Sequence, residues 1–385
     1  MKRIIQIDAL RGFMLVNMTI DHLLYEPFRS IDVILDYSCQ SFGFVSAAEG
    51  FYFLSGLVAG MVFGGMLIKG QLNEMRTRAY KRAREIYLTN IALFVIMTLS
   101  VLVFKNVFHL GGHISSDMLI FNEPLTALGL GVILLNLPYL FEILPLYFFF
   151  LLITPLVITQ TAKGRTGWVL SGAVVIWVLA QLGLRNGIEG LLNNFMPANL
   201  GHFDIFAWQF LFVTGLVIGF HKRKGTLPGF LVKPPKSLTA IVAVMAALIF
   251  ADRYGLFGFF GLTFVGYPTS ITLLGPVRIL DFALLGYLIV GLAGKYKEWF
   301  EIRWLAFLGQ HSLYVFAYHV LLCYGLKLFQ DRITAMSLAP KLIFFALVIA
   351  SLTIPAWLHQ RIRTWYRESR AAGKITPVPP SVNAT

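Results

Sequence analysis

Residues 7–22 read IDALRGFMLVNMTIDH, an apolar stretch of membrane length that carries several ionisable side chains. Such groups are costly at membrane depth and usually have a function there. In a helix, the step from Arg11 to His22 returns to within roughly 20° of the same face and advances about 16 Å. Asp8 lies one turn before Arg11, where the two can pair. The stretch predicts a first span with a cation near its start and an imidazole deep inside. The structural alternative is an interfacial Arg and a His bonded within the bundle.

The composition is that of a membrane protein. The 385 residues are 57% hydrophobic and 13% charged, whereas soluble domains are about 25% charged. Apolar runs long enough to cross a bilayer recur from end to end, which predicts an all-α, polytopic integral membrane protein. The net charge of +13 is explained by Lys and Arg gathered on one side of the membrane. Membrane lipids are therefore expected partners, and nucleic acid is not.

The spacing of the apolar runs predicts about ten transmembrane helices. Their expected ranges are 6–26, 44–68, 86–106, 143–161, 167–185, 203–221, 237–252, 275–293, 304–325 and 341–360. With the N-terminus in the cytoplasm, the inner segments hold most of the cations, as the positive-inside rule requires. The cationic segments are 2–3, 69–84, 163–165, 222–236, 295–303 and 361–374. Both termini are therefore expected to be cytoplasmic.

The domain plan is simple. Residues 1–365 are expected to form one membrane-embedded domain, and the Pro-rich residues 366–385 a disordered cytoplasmic tail. The short apolar stretch 124–140 has a Pro near each end, so it predicts a re-entrant or interfacial segment rather than a span. Ionisable residues interrupt the N-terminal apolar run and no small-residue cleavage site follows, which indicates an uncleaved first span.

Cysteine usage and motifs exclude several classes of site. Cys39 and Cys323 are too few for a disulfide framework, although a single bridge between them stays open. No HExxH, CxxC, Walker-A, GxSxG or dinucleotide-binding motif occurs in the right context. No metal site and no tightly bound cofactor are expected.

The second span carries a small-residue stripe and a buried acid. Gly56, Gly60 and Gly64 recur every four residues, which predicts close packing against a neighbouring helix. Glu49 enters from the outer side to a depth similar to that of His22, counted from the other end. There a carboxylate would orient the imidazole and stabilise its protonated form, as general-base catalysis requires.

Two further polar residues are candidates beside this pair. Asp21 is next to His22 in sequence but points about 100° away on the helix, so it is the weaker orienting group. Ser55 is either a supporting donor or a hydroxyl bonded to its own helix.

The third span opens with the basic run RTRAYKRAREIY (76–87). Arg82 and Arg84 lie where the chain enters from the cytoplasm. Two interpretations stay open: they anchor the topology, or they clamp a donor that carries phosphates.

Other intramembrane polar residues are candidates for supporting or acceptor-side roles. They are Tyr147, Trp208, Gln209, Arg278 and His319. Arg278 and Asp281 are three residues apart and predict a self-neutralising pair. His319 lies at the depth of His22, but a single His on an apolar helix is more often a bonded structural group.

These residues predict a pathway for group transfer. A phosphorylated donor entering at the cationic inner mouth would run its long arm along the face that joins Arg11 and His22. The arm of coenzyme A is of the same order as the roughly 16 Å between them. His22 would deprotonate an acceptor hydroxyl from outside, and that hydroxyl would attack the thioester.

The motifs resemble a known family. Arg11 and His22, with ten residues between them, are similar to the R/K-X10-H signature of the acyltransferase-3 superfamily. The stretches DALRGFML (8–15), GFVSAAEGFYFLSGLVAG (43–60), ILPLYFFFLLITP (143–155) and FAWQFLFVTGLVIG (206–219) resemble the OpgC type. The resemblance implies O-succinylation of periplasmic glucans in the inner membrane of Gram-negative bacteria. It also implies that His22 is the base, Arg11 a donor-pathway residue and Glu49 part of the site.

Several alternatives remain at this point. The run at Arg82 and Arg84 departs from the basic pair of the superfamily, so no single residue is assigned a donor contact. The donor is succinyl-CoA or acetyl-CoA, and a succinyl group needs one extra cation, which Arg253, Arg278 or His319 can supply. The same polar stripe also suits a transporter or flippase for an acylated or sugar-containing molecule, or an acyltransferase for another surface glycan.

Overall fold

The computed structural model describes residues 4–38, 41–108, 119–233, 235–256 and 267–372. Within those ranges the chain is helical and forms no β-strand, which confirms the all-α class. The helices are α1 (Ile5–Tyr25), α2 (Ala47–Ile68), α3 (Leu72–Val107), α4 (Leu119–Asn122), α5 (Pro124–Val132), α6 (Ile143–Ala162), α7 (Thr166–Gln181), α8 (Leu184–Asn193), α9 (Ile205–Lys224), α10 (Gly229–Val232), α11 (Lys236–Arg253), α12 (Pro276–Lys295), α13 (Arg303–Gln310), α14 (Ser312–Lys327), α15 (Gln330–Ala335), α16 (Leu338–Ala350) and α17 (Thr353–Ala371). Short 3-10 helices span Arg29–Tyr37, Tyr267–Thr269 and Lys297–Phe300.

The helices are those of a polytopic membrane protein. Among the described residues, six stretches are long and apolar enough to cross a membrane, or up to eight if two bent pairs each count as one span. The six are α2, α3, α6, α9, α12 and the stretch from α16 into α17. The bent pairs are α7 with α8 and α13 with α14. Each of the ten predicted ranges coincides with a helix or a helix pair.

The structure adds detail to three of the predicted segments. The ninth predicted span is not one straight helix, because α13 and α14 meet at His311 with a bend of 89°. The tail was predicted to begin at residue 366, but α17 continues to Ala371; residues 373–385 lie outside the described part. The stretch 124–140 is not a full span: α5 is 9 residues long, and the chain after it pairs through Leu137 N–H to the Asn199 carbonyl at 2.8 Å.

Glycines bring α2 and α9 into backbone contact, which confirms the predicted stripe. A Cβ at Gly56 would lie 2.2 Å from the Phe212 carbonyl oxygen, and one at Gly60 would lie 2.1 Å from that of Leu216. On the facing helix, a Cβ at Gly219 would lie 2.1 Å from the Leu57 carbonyl oxygen. Such close approach is what small residues provide between membrane helices, where the hydrophobic effect gives little drive to associate.

A second glycine contact joins α1 to α13. A Cβ at Gly12 would lie 1.9 Å from the Leu305 carbonyl oxygen, and one at Gly309 would lie 1.9 Å from that of Asp8. Only glycine permits this separation. Because Arg11 precedes Gly12, the contact fixes the Arg11 side chain beside the bend between α13 and α14.

The substitution Gly60→Ala should lower the stability of the protein. Its methyl group would meet the Leu216 carbonyl 2.1 Å away, and overpacking of this kind costs about 1–3 kcal/mol. We expect a lower midpoint of thermal unfolding in detergent. The matched control is Gly286→Ala in α12, where a Cβ meets nothing within 4 Å. Equal midpoints for the two variants would contradict the α2–α9 contact.

Candidate active site

Two cavities meet at His22. The larger has a volume of about 980 Å³ and the smaller about 490 Å³. Four residues line both: His22, Tyr25, Tyr139 and Leu140. The Tyr139 ring meets the His22 ring edge-on, with centroids 5.8 Å apart. One imidazole can therefore face two different ligands.

His22 is hydrogen-bonded to a second imidazole. Its Nδ1 lies 2.9 Å from Nε2 of His319, and the two ring planes are 22° apart with centroids 5.2 Å apart, so the rings lie nearly edge to edge. Nδ1 of His319 lies 3.1 Å from the carbonyl oxygen of Phe316. His22 is on α1 and His319 on α14, so this histidine pair joins helices that are far apart in sequence.

The carbonyl of Phe316 fixes the tautomers of the pair when both rings are neutral. A carbonyl only accepts, so Nδ1 of His319 carries the proton and donates it. Nε2 of His319 then has a lone pair and accepts from Nδ1–H of His22. Nε2 of His22 is left with a free lone pair, which is the state that a general base requires.

The sequence leaves open whether Glu49 pairs with His22, and the structure gives Glu49 other partners. Glu49 is fully buried and accepts from the Ser46 backbone N–H at 2.8 Å, as part of the capping box at the start of α2. Its other oxygen accepts from Nη1 of Arg278 at 2.5 Å. The carboxylate therefore holds α2 to α12 and does not orient the imidazole.

The predicted self-neutralising pair of Arg278 and Asp281 is wrong. Arg278 reaches across to Glu49, and its Nε donates to the Thr269 carbonyl at 3.1 Å. Asp281 instead accepts from the Phe44 backbone N–H at 2.7 Å. A spacing of three residues in a helix allows Arg278 and Asp281 to pair, but in the folded protein each side chain has a different hydrogen-bond partner.

The larger cavity has a polar wall. Four Asn residues line it: Asn122, Asn136, Asn193 and Asn199. Each amide offers both donors and an acceptor, which matches hydroxyl groups. Glu26, Arg29, Asp32 and Lys327 add charges of both signs, and Lys327 pairs with Glu26 at 2.5 Å.

The smaller cavity contains two guanidinium groups. Arg253 and Arg278 line it together with Asp21 and Glu142. Arg253 is exposed and lies over the Phe44 ring at 5.7 Å. Burial raises the pKa of Glu142 to about 7, so near neutral pH this carboxyl carries only part of its negative charge.

Two of the residues predicted to bind the donor, Arg11 and Arg82, are linked to the bend between α13 and α14. Nη2 of Arg11 donates to Oγ of Ser312 at 2.6 Å. Arg82 donates to Glu85 at 2.8 Å, and Glu85 in turn accepts from the Tyr314 hydroxyl at 3.2 Å. Arg11 thus contacts the first turn of α14 directly, and Arg82 is linked to it through Glu85. Arg84 is exposed and has no such contact with α14.

Four other candidates are structural or distant from His22. Trp208 is fully buried and donates to the Ile271 carbonyl at 3.0 Å. Gln209 donates to the Ala173 carbonyl at 2.8 Å. Tyr147 packs edge-on against Phe212, and Ser55 is buried within α2. These side chains line neither cavity. The acceptor-side role of Trp208, Gln209 and Tyr147 and the supporting role of Ser55 stay predictions.

The sequence reasoning missed Tyr139 and Cys323 as neighbours of His22. Tyr139 lies on a loop with no motif. Cys323 is a free, buried thiol four residues after His319 on the same face of α14, and Cys39 lies outside the described residues. The i, i+4 spacing of His319 and Cys323 is the sequence feature that could have indicated that their side chains lie close together.

The fold and site define an integral membrane protein with an imidazole pair between two cavities. The family model described as OpgC protein matches residues 3–364. The chain therefore belongs to the OpgC family, and membership of that family indicates an acyltransferase. No curated protein and no solved structure shows a significant match to the chain.

The buried ion pair predicts a non-additive effect on stability. Arg278→Gln should destabilise the protein by about 3–5 kcal/mol, because it leaves the Glu49 carboxylate buried without its cation. The double variant Arg278→Gln/Glu49→Gln should recover part of that loss, since Gln also serves in a capping box. Thermal unfolding in detergent measures the stability of the single and of the double variant. A double variant no more stable than Arg278→Gln alone would contradict the pairing.

Proposed function

We propose that the protein transfers an acyl group from a cytosolic acyl-CoA to hydroxyl groups of a periplasmic glucan, with His22 as the general base. Family membership supports acyl transfer. The observation that carries the proposal is the hydrogen-bond chain from the Phe316 carbonyl through His319 to His22, because it leaves a lone pair on Nε2 of His22 at the meeting point of two cavities.

The reaction needs one proton acceptor and no redox step. Nε2 of His22 takes the proton of the acceptor hydroxyl as its oxygen attacks the thioester carbonyl. The tetrahedral intermediate collapses, the C–S bond breaks, and the CoA sulfur takes the proton back from His22. His319 keeps its hydrogen bond to Nδ1 throughout and so stabilises the imidazolium. A positioned base of this kind contributes about 10²- to 10⁴-fold to the rate.

The donor is proposed to enter at the bend between α13 and α14. Arg11 and Arg82 are held there by Ser312 and Glu85, and guanidinium groups suit phosphates. From Arg11 to His22 is roughly 16 Å along α1, a length of the same order as the flexible arm of coenzyme A. The thioester would then lie near His22 while the nucleotide stays at the cytosolic mouth.

The larger cavity is the proposed acceptor site. Its Asn amides and the Tyr25 and Tyr139 rings provide hydrogen bonds and apolar faces, the combination that a sugar requires. Its volume of about 980 Å³ is at the upper end of small-molecule sites. A few glucose units of a longer glucan would fit, with the remainder outside.

A succinyl group is the proposed acyl moiety. The smaller cavity offers Arg253 and Arg278 next to His22. Since Arg278 is already paired with Glu49, Arg253 is the cation available for a terminal carboxylate. The sequence also named His319 as a possible cation for the succinyl carboxylate. In this proposal His319 orients His22 instead.

The proposed topology has ten transmembrane helices with both termini in the cytoplasm of a bacterial inner membrane. The distribution of Lys and Arg among the loops supports it. This arrangement directs the Arg11 end of α1 toward cytosolic acyl-CoA and the cavities toward the periplasm.

The first test is the release of CoA by purified protein in detergent. We expect thiol release from succinyl-CoA that requires both glucan and His22, with a loss of about 10²- to 10⁴-fold in His22→Ala, because the base is gone. His221→Ala is the matched control, since His221 bonds Thr166 and Thr226 and lines neither cavity.

Two outcomes contradict the proposal. Wild-type rates in His22→Ala would exclude this residue as the base. Folded wild-type protein that releases no CoA with any donor or acceptor would favour transport of an acylated or sugar-containing molecule instead. An acceptor panel that includes lipopolysaccharide and capsular glycans separates the periplasmic glucan from other surface glycans.

A second test concerns the choice of acyl group. Arg253→Gln should raise KM for succinyl-CoA by up to about fivefold and leave that for acetyl-CoA unchanged, because an ion pair between an exposed guanidinium and the succinyl carboxylate is worth up to about 1 kcal/mol. Arg332→Gln is the control, since Arg332 is also exposed and lies over a Phe ring, at 5.9 Å. An equal change for both donors would contradict the role of Arg253.

A further inference from the structure

Three potential metal ligands converge beside the histidine pair. His22, His319 and Cys323 each offer one ligand atom, and these atoms all lie within 4.8 Å of one another. Two imidazole nitrogens and one sulfur form a set that Zn²⁺ and similar cations prefer. We propose that these three side chains bind a divalent cation of the zinc class, and that the bound cation inhibits the enzyme.

The geometry requires only small movements. In a tetrahedral zinc site with bonds of about 2.0 Å to nitrogen and 2.3 Å to sulfur, neighbouring ligand atoms are about 3.3–3.6 Å apart. Nδ1 of His22 and Nε2 of His319 are 2.9 Å apart, so small rotations of the rings and of the thiol side chain reach this arrangement. His319 and Cys323 are four residues apart on α14, a spacing that places two ligands on one helix face.

The surroundings of His319 are those of a metal ligand. Metal-binding imidazoles usually donate their second N–H to a carbonyl or carboxylate, which fixes the ring and the tautomer. The Phe316 carbonyl has that role here, at 3.1 Å from Nδ1, and Nε2 faces the other two ligands. This contact is independent of the closeness of the three side chains.

A cation can reach the site through the larger cavity. His22 and Cys323 both line that cavity, so it leads to two of the three ligands. Glu26 and Asp32 line the same cavity and balance the positive charges of Arg29 and Lys327, so the path carries no net positive charge that would repel a cation. Cys323 is 6% exposed, so the sulfur is shielded from bulk solvent at the inner end of this path.

Metal binding excludes general-base catalysis. When Nδ1 of His22 binds a cation, the ring proton moves to Nε2, which then donates and no longer accepts. The Cys323 thiol releases one proton to solvent as it becomes a ligand. The inhibitory effect rests on the proposed function, whereas the binding site itself does not.

The binding test uses Co²⁺ as a spectroscopic substitute for Zn²⁺ on the full-length protein in detergent. We expect the intense visible bands of tetrahedral Co²⁺ and a thiolate charge-transfer band, both removed by added Zn²⁺. Cys323→Ser should lose the charge-transfer band. The chain has two cysteines, so Cys39→Ser is the matched control and should keep it. Absence of the band in the wild type, or its persistence in Cys323→Ser, would overturn the site.

The inhibition test follows acylated glucan by mass, because CoA thiols themselves bind Zn²⁺. Each variant is compared with its own rate without metal. The Zn²⁺ concentration for half-inhibition should rise at least about tenfold in Cys323→Ser and stay unchanged in Cys39→Ser. Equal sensitivity of both variants would overturn the inhibitory role. If wild-type protein transfers no acyl group at all, the proposed function fails, while the Co²⁺ spectrum still decides the metal site.

Discussion

The constraint behind this structure is that a polar group buried at membrane depth must find its partner within the protein. Two such pairs here join elements that are distant in sequence. His22 of α1 bonds His319 of α14, and Glu49 of α2 bonds Arg278 of α12. These contacts are favoured, because without them a polar group would lie in hydrocarbon without a hydrogen-bond partner. They also select one arrangement of apolar helices that would otherwise pack in many ways.

Glycine contacts give the same helices their close separation. Where α1 meets α13, backbone touches backbone at Gly12 and Gly309, and Arg11 is thereby held against Ser312 at the start of α14. One helix face thus carries a cation fixed at the bend and an imidazole fixed between the cavities. The rigidity of that face, rather than any single residue, makes α1 suitable to bind an extended donor.

The histidine pair places the proposed base between the two proposed substrate sites. His22 borders both cavities, so a donor on one side and an acceptor on the other can share one base. The same closeness of nitrogen and sulfur atoms that orients His22 also makes the site receptive to a thiophilic cation. In the two proposals, the same contacts orient His22 as a base and bring the ligand atoms for a cation together.

The sequence by itself determined the membrane class, the helix positions and the glycine stripe of α2, and it indicated His22 as a candidate site residue. These follow from local rules: hydropathy, helical periodicity and the cost of burying charge. The tertiary structure alone decided the partners. Glu49 bonds Arg278 instead of His22, and His319 orients the base although its own helix gave no reason to prefer it. Partner choice depends on how helices hundreds of residues apart are rotated and bent, and the 89° break at His311 leaves no periodic signal in the chain.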